Sequence, residues 1–218
     1  MERSFASVFI PEIEVYSRIW KERFLPALAE LENEATAISE KEHERLSAHM
    51  DREWDDPADI AEQAHDAGLS YYEQYAPIRK GLINMHAVGL YHLVEQQRFL
   101  FFRQVTPASG TDLKPQRDPN FKDVVDWLNA HDIFVAKFQS WPVMEKLNLL
   151  SDCVKHAEGR ACRQLLEKEP DWFTPIGPLV GLPSVRQPLF GQGIYLSESA
   201  LWTLTDAARS FWTELGTR

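Results

Sequence analysis

From Ile78 to Val105 the chain is apolar on nearly every side of a helical wheel, with Leu82, Ile83, Met85, Val88, Leu90, Leu93, Val94, Phe99, Leu100, Phe101 and Phe102 leaving no broad polar face. A helix of that kind has to be covered on several sides, so the rest of the chain must wrap it. What remains reads as more helix. Pro11 opens a helical pattern through Val15, Ile19 and Phe24, with a kink or fresh start at Pro26, and the pattern runs to about residue 49. Asp55, Asp56 and Pro57 form a capped helix start that carries to about Tyr75, and Pro77 is expected to interrupt it before the central helix begins at 78.

Further helices are expected at 121–130, 142–158, 160–169 and 197–215. Gly159 stops the second of these four segments and Pro170 the third, while Ser197 caps the last, whose Leu201, Leu204, Ala208, Phe211 and Leu215 keep helical spacing and dock it back on the core. Between them lie two breaker-rich stretches. Thr106 to Asn120 reads as a mobile surface loop, and Thr174 to Gly193 holds too many prolines and glycines for anything beyond a short hairpin. With no repeat and no strand–helix alternation, the fold class is all-α. The expectation is a single-domain helical bundle over 1–218, with a core of about 9–172 and a C-terminal Pro/Gly-rich excursion plus docked helix over 173–218.

A formal net charge of −10 argues against a protein that coats duplex DNA or an anionic membrane. No stretch approaches the ~18 consecutive apolar residues of a membrane span, and the N-terminus lacks a basic start followed by an apolar run. Cys153 and Cys162 are the only cysteines. Two cysteines without a second pair suit reduced, buried thiols in a cytoplasmic protein rather than a disulfide framework.

One helix carries the most pointed chemistry. Glu145, Leu149, Asp152 and His156 fall in a narrow sector of the 142–158 segment, so a carboxylate and an imidazole share an apolar face. On the central helix, Met85, Val88, His92, Glu95, Gln96 and Phe99 share another. If those faces meet, His92, Glu95 and Gln96 join Asp152 and His156 in one buried network, which either fixes helix register or lines a cleft. Lys155, His156, Arg160 and Arg163 also gather cations around Gly159, where the free amides of a new helix favour a phosphate; the plain alternative is a solvated basic loop. Glu40 with His43 and Glu62 with His65 have the Glu-x-x-His spacing of di-iron bundles. Their surroundings are polar, so no metal or other cofactor is expected there.

The run from Phe138-Gln-Ser-Trp-Pro142 through Lys155-His-Ala-Glu-Gly159 to Leu166-Glu-Lys-Glu-Pro-Asp-Trp-Phe173 resembles a pattern in uncharacterised bacterial helical proteins, which commonly place Asn where Asp152 stands. Together with Tyr91-His-Leu-Val-Glu95 it is similar in outline to HEPN (higher eukaryotes and prokaryotes nucleotide-binding) domains. That resemblance implies a helical bundle, often dimeric, of a kind found in toxin–antitoxin and phage-defence systems. Many such domains are metal-independent ribonucleases that use an Arg, an adjacent polar residue and a His four to six residues after the Arg. Here the His is His156 and the polar residue Asp152, but Ser151, Leu150 and Leu149 occupy the possible Arg positions. No guanidinium is then in place to stabilise charge on a scissile phosphate, although Arg160 or Lys155 could substitute.

The expected function is accordingly that of a bacterial, cytoplasmic, HEPN-like homodimer that binds a protein, nucleotide or RNA partner, in a defence or toxin system. Its ligand-binding residues would be Lys155, Arg160, Arg163 and His92. The rival is a metal-independent ribonuclease with His156 as general acid or base and Asp152 or Glu95 orienting it, and a third, weaker reading is a metal-binding helical bundle.

Overall fold

A computed structural model describes residues 5–51, 54–106, 121–156, 159–173 and 193–217. The chain is all-α: among the described residues the one β-type pairing is an isolated antiparallel bridge between Phe173 and Ile194. The expected loop at 106–120 and the hairpin at 174–193 lie almost wholly outside the described residues. Helix α1 spans Phe5–Ile19, a π-helical turn follows at Trp20–Phe24, and then come α2 (Leu25–Ala29), α3 (Leu31–Ser47) and α4 (Pro57–Val105). The remaining helices are α5 (Phe121–Ala130), α6 (Trp141–His156), α7 (Arg160–Lys168) and α8 (Glu198–Gly216).

Pro77 does not interrupt α4, which is continuous through it. A proline has no N–H for the carbonyl four residues earlier, here that of Glu73. Glu73 and Pro77 both face solvent, the side of a helix on which a carbonyl deprived of its partner can turn outward, so the helix tolerates the proline. The first helical run also differs from its expected form, starting at Phe5 and passing over Pro11. Ahead of Pro26 the ladder widens into the π turn, in which the Leu25 N–H bonds the Trp20 carbonyl five residues back. This shift absorbs the missing donor of Pro26 at the first turn of α2.

The chain divides into two compact units. One comprises Ile19–Leu82 and is an antiparallel pairing of α3 with the N-terminal half of α4. Gly68 permits the close approach: a Cβ there would lie 2.6 Å from the Ala35 carbonyl oxygen and 3.0 Å from the Ser39 Cβ. Tyr71 donates a 2.7 Å hydrogen bond to Glu34 Oε2, and Trp20, Leu25, Leu31, Ile60 and Ala64 are buried in this unit.

The other unit, Met1–Arg18 with Ile83–Arg218, holds the larger core. Phe9, Phe101, Phe211 and Trp212 form linked aromatic contacts with centroids 4.6 to 6.1 Å apart. A buried amide ties three helices together. Gln97 of α4 donates to the Phe9 carbonyl (3.1 Å) and to Glu12 Oε2 (2.8 Å) of α1, and its Oε1 accepts from Trp212 Nε1 of α8 (2.8 Å). Every polar atom of that side chain faces a partner, so the group fixes register without leaving orphaned buried atoms. Tyr16 lies over the glycine at position 89, donating to the His86 carbonyl (3.0 Å) and stacking on the His86 ring at 4.5 Å. The α8 helix docks as expected: Leu201, Leu204, Ala208, Phe211 and Leu215 are buried, and Ser197 Oγ accepts from the Ala200 N–H. From α8, Glu214 reaches the chain just before α6, where its carboxylate accepts from the N–H groups of Gln139 (2.7 Å) and Ser140 (3.1 Å). A negative charge at that helix end also complements the α6 dipole.

Candidate functional site

Helices α6 and α7 form an antiparallel hairpin that is fastened along its length. At its open end Glu145 lies 4.0 Å from Lys168, and Lys146 pairs with Glu169. Near the turn, Cys153 and Cys162 are joined in a disulfide with a Cα–Cα distance of 4.8 Å. The expectation of reduced thiols is therefore corrected. Two cysteines nine residues apart, one in the last turns of α6 and one in the first turn of α7, are brought by a tight reversal into the range a disulfide requires. With that pairing, cysteine usage no longer speaks for a reducing compartment. Among the described residues, no helix is long and apolar enough to cross a membrane.

The hairpin turn presents the cations picked out in the sequence. Lys155, His156, Arg160 and Arg163 are all exposed, and Asp152 is half-buried one turn before His156. The contact between α6 and α4 is real, but it is made by Tyr91. Lys155 Nζ lies 5.7 Å from the Tyr91 ring centroid, and the guanidinium carbon of Arg98 lies 5.4 Å from the same centroid. Both distances allow cation–π attraction. Burial pushes the Tyr91 hydroxyl upward in pKa, the Arg98 cation opposes that shift, and the charges of Glu95 and Asp152 reinforce it. Arg98 is only 3% exposed, and burial lowers its pKa while its hydrogen bond to Tyr91 works the other way.

His92 lies elsewhere. It is exposed, with Nδ1 3.5 Å from Glu95 Oε2 and with Nε2 accepting from Gln96 Nε2 at 3.0 Å, both on its own helix. The face of Met85, His92 and Gln96 points to water, so the expected buried network of His92, Glu95 and Gln96 with Asp152 and His156 does not form. The groups that meet are Tyr91, Glu95 and Arg98 of α4 with Asp152 and Lys155 of α6. Arg98 went unnoticed in the sequence and Tyr91 entered only as the first residue of the Tyr91–Glu95 motif, although seven residues apart on a helix places the two on one face. A second buried polar group, His86, was also passed over; burial holds its pKa down at about 4, so it is neutral near pH 7.

Among the described residues, no three His, Cys, Asp or Glu side chains converge in a group that could hold a metal ion. Glu40 and His43 line an open depression of about 380 Å³ with Ser39, Glu44, Ala61 and Ala64. Compared with protein-family models, curated proteins and solved structures, the chain matches none of them.

Proposed function

We propose that the protein works by binding a phosphate-bearing ligand, a nucleotide or single-stranded RNA, at the α6–α7 turn. The observation that carries this reading is that Lys155, His156, Arg160 and Arg163 are exposed together on a turn fastened by a disulfide, within a chain of net charge −10. A rigid backbone support spares the loop-ordering cost of binding, so that only the side chains' own rotamer freedom is lost when a phosphate arrives. The start of α7 adds amide donors and the positive end of a helix dipole. Lys155, packed over Tyr91, is held near the position it would use. His92 sits apart on α4 and is given no contact with the ligand. The HEPN-like relationship belongs to the same proposal, as do a homodimeric state, a cytoplasmic location and a role in bacterial defence or toxin systems. An all-α bundle with a Lys-His pair ending one helix is what supports them.

A second reading is favoured by one specific observation, the exposure of His156. An exposed imidazole one turn beyond the carboxylate of Asp152 can exchange protons with a ribose hydroxyl or a leaving oxygen, as a metal-independent ribonuclease requires. Arg98 of α4 is buried against Tyr91 and not presented to a substrate. Phosphate charge would fall to Arg160 or Lys155. Binding without cleavage is therefore the reading preferred.

Fluorescence polarisation of a labelled single-stranded RNA, repeated over a salt series, tests both. The double variant Arg160→Ala/Arg163→Ala is expected to bind less tightly, and its log–log salt slope to be shallower by about 1.4, from two lost phosphate contacts. Unchanged affinity and slope would remove the proposed site. Incubation of total RNA with and without chelator then separates the readings: chelator-insensitive cleavage abolished by His156→Ala establishes the ribonuclease instead.

A further inference from the structure

The chain's two cysteines are joined in one link, and that link brackets the cationic turn. Cys153 precedes Lys155 and His156 by two and three residues, Arg160 precedes Cys162 by two, and Arg163 follows Cys162 directly. Each of the four cations thus lies within three residues of a bridged sulfur. As a staple for the fold the link is poorly placed. A cross-link stabilises more the longer the chain it closes, and this one joins residues nine apart in a 218-residue chain whose larger unit already has an extensive apolar core. What it fixes is α7. A helix of nine residues does not persist by itself, and α7 buries only Cys162 and Leu165. With Cys162 bonded to α6, the first turn of α7 is held in place, and Arg160 and Arg163 are kept at the same turn as Lys155 and His156.

We infer that the Cys153–Cys162 pair is a redox switch on the α6–α7 turn: the disulfide form holds the α7 cations in position for the phosphate-bearing ligand, and the dithiol form releases them. This inference rests on the phosphate-binding reading given above. The cytoplasmic location that belongs to that reading fits it, since disulfides in a reducing compartment are mostly transient or redox-sensing.

The chemistry is thiol–disulfide exchange with a protein dithiol, whose thiolate attacks Cys153 Sγ. The bond between Cys153 and Cys162 breaks, its electron pair leaves on Cys162 Sγ, and a mixed disulfide forms at Cys153. The reductant's second thiol then closes the reductant's own disulfide and releases Cys153 as a thiol. In all, two electrons and two protons pass to this chain, and exchange with an oxidised partner disulfide runs the same steps in reverse. Cys162 is suited to be the leaving sulfur, because it stands in the first turn of α7, at the positive end of the helix, between Arg160 and Arg163 in sequence. Both cysteines are fully buried, so attack requires α7 to lift from α6; its shortness and slight burial make that a low-energy local opening.

The test is fluorescence polarisation of a labelled single-stranded RNA with the full chain, first oxidised, then reduced by a small dithiol, then reoxidised, with thiols counted by alkylation. Oxidised wild type should bind, and reduction should raise its Kd about fivefold or more, as for an α7 that is docked about a fifth of the time. The log–log salt slope should become shallower by about 1.4, matching that of oxidised Arg160→Ala/Arg163→Ala, because the same two cations are withdrawn. Reoxidation should restore both, and Cys153→Ala/Cys162→Ala should bind like the reduced wild type with or without dithiol. Equal binding by reduced and oxidised wild type, with Arg160→Ala/Arg163→Ala still weakened, would overturn the switch and leave the phosphate site standing. RNA binding that is absent from the oxidised chain, or indifferent to Arg160→Ala/Arg163→Ala, would overturn both. Circular dichroism supplies the structural control. A loss of helix on reduction greater than the nine residues of α7, or a link that dithiol opens only after denaturation, would make the disulfide a staple of the whole unit and overturn the proposal.

Discussion

Reducing the Cys153–Cys162 disulfide should destabilise the larger unit by an amount set mainly by the length of chain it closes. The two cysteines are nine apart, and the chain-entropy cost of closing so short a loop corresponds to about 2.6 kcal/mol at 25 °C. For a chain of this size that lowers Tm by about 5–10 °C. Both cysteines are fully buried, and the helix that depends on them is short: α7 has nine residues, too few to persist alone, and buries only Cys162 and Leu165. The ion pairs at the open end of the hairpin, Glu145 with Lys168 and Lys146 with Glu169, are partly exposed and individually worth little. The assay is thermal unfolding followed by circular dichroism, with and without a phosphine reductant, on the wild type and on Cys153→Ala/Cys162→Ala. The wild type should lose the stated increment on reduction, and the double variant should be reductant-insensitive. Amide exchange should quicken first in α7. Two titratable thiols in the denatured, unreduced wild type would refute the reasoning at its premise, and a shift below about 1 °C on reduction would refute the loop-entropy argument.

Two other expectations concern the contact of α1 with α4. At Gly89 an added Cβ would lie 2.1 Å from the Tyr16 hydroxyl, so Gly89→Ala should cost about 1–3 kcal/mol in urea unfolding, and combining it with Tyr16→Phe should recover part of that loss; strictly additive losses would contradict the proposed clash. For His86 the folded pKa of about 4 lies below the unfolded value near 6.5, so between those pH values the unfolded chain binds more protons. Stability is then full above about pH 6.5 and falls on acidification through about pH 4, by roughly 3 kcal/mol in all. His86→Phe, which keeps a ring against Tyr16, should flatten that part of the stability–pH curve, and an unaltered curve would show that other groups set it.

Helix ends with strong local signals were legible in the sequence. The cap at Ser197, the stop near Gly159 and the apolar spacing of α8 place those elements within a residue or two of where they lie. The break expected at Pro77 failed for a physical reason: a proline's cost depends on whether the carbonyl it deprives can reach water, and the exposure of Glu73 belongs to tertiary structure. The π turn at Trp20–Phe24 has the same character, since only Pro26 hints that the ladder must shift there. The cysteines were read by compartment and not by distance, although a tight reversal at Gly159 was already expected and brings residues nine apart into bonding range.

Orientation was the part least open to inspection. A helix that is apolar nearly all round has no dominant wet side, so the polar residues it carries do not reveal which way they face. His92, Glu95 and Gln96 looked like an inward seam because they stand among large apolar residues; yet His92 and Gln96 face water, and the inward position belongs to their neighbour Tyr91. Rotating the helix by one residue, about 100°, exchanges a buried imidazole network for an arrangement of tyrosine, arginine and lysine. That rotation also moves the chemistry. A sealed His92–His156 network would have made His156 a packing element, whereas the observed rotation leaves Tyr91 to hold Lys155 and sets His156 free at the turn, beside Arg160 and Arg163. On the proposed reading, the choice between gripping a phosphate and also cleaving beside it comes down to His156, because the buried guanidinium of Arg98 is packed against Tyr91 and the exposed ones belong to α7.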